Sequence, residues 1–144
     1  MTRIPVLQQT PDALRQTPEA LQQTPDLAER IDRSLLHLHT LPGLDARVLA
    51  RVIGVPTVAV RTSHWLRRHS TLRASLARIR VEAAERLLHE QPRTLPPALV
   101  MARTAEAVGF HSTDEMDRAF LRYRHRSGFE ALLAGRARTT RSAA

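Results

Sequence analysis

The stretch Ala105-Glu-Ala-Val-Gly-Phe-His-Ser-Thr-Asp-Glu-Met-Asp-Arg-Ala-Phe-Leu-Arg122 decides the fold of this chain. Ser112 and Glu115 stand at the spacing of a capping box, in which each side chain serves the other's backbone N–H. A helix opens there, and Gly109-Phe110 just before it makes a turn. The new helix gathers Met116, Ala119, Phe120 and Tyr123 on one face. The opposite face carries Asp114, Asp117, Arg118, Arg122 and Arg126. Upstream, Leu99, Met101, Ala105 and Val108 belong to a short helix. A short helix, a glycine turn and a second helix form the helix-turn-helix pattern.

The pattern occurs once before. Asp45 is an N-cap. Ala46 to Ile53 carries Val48, Leu49, Val52 and Ile53, and Gly54 supplies the turn. Pro56 to His69 is less regular, with Val58, Val60, Trp65 and Leu66 among Arg61, Arg67 and Arg68. Between the two units the spacing predicts a longer helix over 72–90, with Leu72, Leu76, Ile79, Ala83 and Leu87 as one stripe. Pro92, Pro96 and Pro97 bracket a loop. Leu27, Ile31, Leu35 and Leu38 predict a preceding helix that starts near Thr24 and stops at Leu41-Pro42-Gly43. A last turn around Phe129-Leu132-Leu133 is expected to end at Gly135. No alternating strand pattern competes. The expected fold is all-α, two helix-turn-helix subdomains joined by a long linker helix. The expected division is an arm over 1–23, a first subdomain with the linker helix over 24–90, a second over 91–134 and a disordered basic tail over 135–144.

The arm contains a repeat: Gln9-Thr-Pro-Asp-Ala-Leu-Arg, Gln16-Thr-Pro-Glu-Ala-Leu-Gln and Gln23-Thr-Pro-Asp-Leu-Ala-Glu. A period of seven suggests a coiled coil, but Pro11, Pro18 and Pro25 oppose it. Each Thr-Pro-acid step is instead a helix start, and the next proline cuts off the first two. A flexible arm is expected.

Composition sets the bounds. The chain has 144 residues, 42% of them hydrophobic and only 3% aromatic. That suits one compact domain or two very small ones, with a core of Leu, Val, Ile and Ala. There is no Cys, which excludes disulfides, thiolate metal sites and Cys nucleophiles. No apolar run approaches the ~18–20 residues of a membrane span, and the first residues lack the apolar core of a secretory signal. The expected address is the cytoplasm. The net charge is +8, and all 22 basic residues are Arg. Residues 1–40 hold four Arg and five acids, whereas 41–144 hold eighteen and nine. A basic domain behind a near-neutral leader fits a polyanionic partner, and equally a charged, soluble surface.

The run Ala105 to Arg122 resembles the second helix-turn-helix of AraC-type transcriptional regulators, roughly A-x-x-V-G-F-x-S-x-x-x-F-x-R-x-F-R-R. Arg118 and Phe120 match directly, and Met116 stands at the first aromatic. Leu76-Ala-Arg-Ile-Arg-Val-Glu-Ala-Ala-Glu-Arg-Leu-Leu88 is similar to the family's linker helix, and Asp45 to Gly54 resembles the first unit's opening helix. The resemblance covers about 26–134. It departs between Gly54 and Trp65, where this chain carries one residue more, and at Gly128, where the family has Pro. It implies a DNA-binding domain of about seven helices that recruits or blocks RNA polymerase.

On that reading the two second helices enter successive major-groove segments about 34 Å apart, and one chain binds an asymmetric duplex site as a monomer. The first reader presents Val58, Ala59, Arg61, Thr62 and His64. Arg61 suits a bidentate grip on guanine, and small groups suit a thymine methyl. The second presents Thr113, Asp114, Asp117 and Arg118, with Arg122 nearer the backbone. Asp114, Glu115 and Asp117 form an acidic cluster that opposes a phosphate-rich partner. Glu115 is expected to close the capping box and Asp114 to pair with Arg118. Arg67, Arg68, Arg78, Arg80, Arg122, Arg124 and Arg126 are candidates for six to ten phosphate contacts, with Arg80 alternatively structural. Trp65 is expected in the core. His37-x-His39 lacks a third ligand, so no metal and no cofactor are expected. No phosphate loop, Ser/His/Asp arrangement or carboxylate pair supports an enzyme. The rival reading keeps the fold but makes it a protein-interaction module that binds a regulator or RNA polymerase.

Overall fold

The computed structural model describes residues 26–92 and 94–142. The repeat arm over 1–23 and the expected start at Thr24 lie outside them. Seven helices and no strand occur among the described residues: α1 (Leu27–Leu38), α2 (Ala46–Ile53), α3 (Thr57–Arg68), α4 (Leu72–Glu90), α5 (Pro97–Ala107), α6 (Thr113–Arg124) and α7 (Gly128–Ser142).

The apolar side chains collect in two cores. Ile31 and Leu35 of α1, Leu49 of α2 and Val60 of α3 build the first, together with Leu72 and Leu76 of α4. Val100, Met101, Val108, Met116, Phe120 and Leu132 build the second, together with Val81, Ala84 and Leu88 of α4. One helix thus serves both. At 100° per residue, the Leu72/Leu76 face and the Val81/Ala84/Leu88 face lie about 130° apart round the axis of α4. This corrects the stripe expected on this helix: Ile79, Ala83 and Leu87 are only half-buried. A single stripe describes a helix that packs into one core, and α4 packs into two.

The caps form as local chemistry dictates. Asp45 Oδ1 accepts from the N–H groups of Arg47 and Val48, both at 2.8 Å. Ser112 Oγ accepts from Glu115 N–H at 3.1 Å, and Glu115 Oε2 accepts from His111 N–H at 2.8 Å. A second box, at Ser127 and Glu130, starts α7: Glu130 N–H donates to Ser127 Oγ, and Ser127 N–H to Glu130 Oε2. The spacing Ser127-x-x-Glu130 carries that signal in the sequence.

The segment beyond Gly135 departs from expectation. The helix continues to Ser142. Gly135 does not end it but lies against α4, where a Cβ would stand 2.8 Å from the His89 ring.

Candidate nucleic-acid interface

In each unit a short helix, a turn at a positive-φ glycine and a twelve-residue helix follow one another: α2, Gly54 and α3, then α5, Gly109 and α6. Both second helices end on a left-handed histidine, His69 at φ 50° and His125 at φ 54°.

A joint ties the two units. Arg80 is buried in the middle of α4. Its Nε donates to the His39 carbonyl at 2.8 Å and its Nη2 to the Leu41 carbonyl at 2.6 Å. Its guanidinium lies 5.8 Å from the Phe110 ring centre. Gly109 meets the same strand of backbone, for a Cβ there would stand 2.7 Å from the carbonyl oxygens of His39 and Thr40. The chain leaving α1 is therefore clasped by α4 and by the turn before α6. Of the two roles open to Arg80, the geometry gives the structural one. Burial pushes its guanidinium pKa down.

On α3, Arg61 and Thr62 are exposed, as a reader's side chains must be. His64 is not. It is 1% exposed, turned inward, with Nε2 2.8 Å from Ser75 Oγ. Its Nδ1 is 3.9 Å from Asp32, beyond hydrogen-bond reach, so Ser75, His64 and Asp32 form a packed polar cluster. Burial lowers the His64 pKa, partly opposed by Asp32. The cause of its inward turn is its place four residues after Val60, on the core face. Arg68 pairs with Asp32 at 2.6 Å and Arg67 with Asp26 at 3.5 Å, both toward α1. Trp65, expected in the core, is 55% exposed.

On α6, Asp114, Arg118 and Arg122 are exposed and Thr113 is half-buried. Asp117 does not face a partner: its Oδ1 accepts from the Gly128 N–H at 2.8 Å. Proline at 128, the family's residue, has no N–H to offer. Asp114 does not pair with Arg118 through its carboxylate, since Arg118 Nε donates to the Asp114 carbonyl at 3.1 Å. Of the three acids, Glu115 and Asp117 are engaged within the fold.

The other candidate phosphate contacts divide. Arg124 and Arg126 both grip Glu85 of α4, Arg124 at 2.9 Å. Burial raises the Glu85 pKa, but the two guanidiniums outweigh it and hold the carboxyl below its ordinary value. Arg78 and Arg122 both lie over the Tyr123 ring, at 5.4 and 5.8 Å. Among the described residues Arg61, Arg78, Arg118 and Arg122 have no carboxylate partner within 4 Å. No cluster of three metal-ligating side chains occurs there either.

No family model and no curated protein matches the sequence. Solved structures do match. The C-terminal domain of AraT, a response regulator from Geobacillus stearothermophilus, superposes with a TM-score of 0.67 at 19% identity, over 78% of this chain and 88% of that one. The DNA-binding domain of AdpA, a global transcriptional factor solved with a target DNA, gives 0.62 at 25% identity, over 77% and 93%. A DNA-binding transcriptional dual regulator from Escherichia coli K-12 gives 0.63 at 13% identity, over 80% and 96%. The chain has the all-α, two-unit fold of the AraC-type DNA-binding domain.

Proposed function

We propose that the chain is a DNA-binding transcription regulator whose two units read successive major-groove segments of one duplex site. The observation that carries this is the pair of matching helices, each behind a glycine turn, with arginines left free of carboxylates on each: Arg61 on α3, Arg118 and Arg122 on α6. Arg61 and Thr62 are the first reader's contacts. Thr113, Asp114 and Arg118 are the second's, with Arg122 and Arg78 on the phosphates. Arg67 and Arg68 are secondary contacts: Arg67 must leave the exposed Asp26, an attraction worth ~0–1 kcal/mol, and Arg68 must leave the half-buried Asp32, to which it is held at 2.6 Å. One chain supplies both readers and binds as a monomer, in the cytoplasm, without catalysis. Contact with RNA polymerase from the bound site belongs to the same reading.

The test is a salt titration of binding to sites selected from random duplex DNA. Four phosphate contacts give a slope near −3.6, or about a hundredfold loss between about 50 and 200 mM salt. Arg61→Ala and Arg118→Ala are each expected to cost about 1–3 kcal/mol at one base position. Affinity that ignores salt, or that both variants leave intact, refutes the reading. The rival interaction module gains no support from fold neighbours described as DNA-binding.

A further inference from the structure

Where the two units meet, a groove of about 830 Å³ opens. We propose that this groove binds a small amphipathic anion, an apolar body bearing a single carboxylate. The site shares Arg61 and Thr62 with the proposed DNA contacts, but its test uses no DNA, so the two readings fail separately.

The volume falls in the range of small-molecule sites, about 300–1,000 Å³. The apolar part of the lining comes from both units: Leu44 and Trp65 from the first, Leu72 and Leu76 from α4, Phe110 from the turn before α6. Trp65 is the chain's single tryptophan, and it stays 55% exposed on this wall although burial of so large a ring is favourable. An apolar ligand body offers it the cover that the fold does not.

Charge selects the head group. Two carboxylates line the groove, and both are engaged: Asp45 holds the two N–H groups at the start of α2, and Glu115 holds the His111 N–H. The Arg80 guanidinium is turned to the carbonyls of His39 and Leu41. Arg61 and Arg73 remain. Both are exposed at the lining, and neither sits in an ion pair among the described residues. An anion thus finds two guanidiniums, which suit a carboxylate's geometry: Arg73, and Arg61, which also feels the Asp45 carboxylate without pairing to it. A cation meets two carboxylates, each already accepting backbone N–H groups, among three guanidiniums.

Trp65 fluorescence reports on the site directly. Decanoate, kept below its micellar concentration and added to the intact chain, is expected to change the emission saturably with one equivalent bound. Octanoate, shorter by two methylenes, is expected to bind about tenfold more weakly. Arg73→Ala is expected to weaken decanoate about two- to fivefold. Decyltrimethylammonium, with the same chain and the opposite charge, is expected to give no saturable change. Ala77→Phe, which fills the groove from α4, is expected to abolish saturation while circular dichroism shows the helices intact; should that variant unfold, the comparison of anion with cation on the unaltered chain decides. A linear or absent response to decanoate overturns the proposal. So does an equal response to the cation, or a folded Ala77→Phe that titrates like the parent.

Discussion

The two turns look alike in sequence and do different work. Gly54 and Gly109 each follow a short helix, and each takes a positive φ, 77° and 90°. A Cβ at Gly54 would meet nothing within 4 Å, whereas one at Gly109 would strike the carbonyls of His39 and Thr40. The first turn is a local device that lets the chain reverse. The second is also half of the joint that sets one unit against the other. Two copies of a motif can therefore carry unequal structural burdens, and the inequality lies in what each backbone touches.

The sharpest way to break this comparison is to put the same methyl group in both turns. Gly109→Ala is expected to cost about 3 kcal/mol, because strain at positive φ adds to a backbone collision. Gly54→Ala is expected to cost about 1 kcal/mol, the conformational part alone. Urea unfolding of the two variants measures the difference. Equal losses would show that the second turn bears no joint.

A smaller effect tests the joint from its other side. Arg80→Met keeps the stem of the side chain but leaves the His39 and Leu41 carbonyls without their donors. A loss of about 2 kcal/mol is expected, again by urea unfolding. A variant as stable as the parent would remove Arg80 from the joint.

The gentlest probe is pH, and it separates the units. Burial holds the folded His64 pKa below its ordinary 6.5. The unfolded chain therefore binds the proton first. The stability that neutral His64 contributes is present above about pH 6.5 and declines as pH falls through that value toward the folded pKa. His89 on α4 has the same sign, from burial and then Arg138. The urea midpoint is expected to fall from about pH 7.5 to 5.5, and His64→Gln to flatten part of that fall. A midpoint as pH-dependent in the variant as in the parent would place the whole effect outside the first unit.

The second unit was the more legible of the two for a physical reason. Its boundaries rest on groups three or four residues apart: Ser112 with Glu115, and the face of Met116 and Phe120. The third helix of the first unit rests on partners far along the chain. Arg68 reaches Asp32, and His64 reaches Ser75. Periodicity could have warned that His64, four residues after Val60, points inward. Nothing local could show that Arg124 and Arg126 are held by Glu85, or that Trp65 stands on a groove wall.

The sequence by itself determined most of the helices, the caps at Asp45 and Ser112, the glycine turns, the two-unit order and the excess of arginine, because these depend on neighbouring residues and on composition. Only the tertiary structure decided which arginines stay free, which acids are engaged, and that Gly109 and Arg80 lock the units together. Most of those outcomes depend on groups far apart in the chain meeting at hydrogen-bond distance, as Arg80 meets the His39 carbonyl and Arg124 meets Glu85, and no local spacing encodes such a meeting.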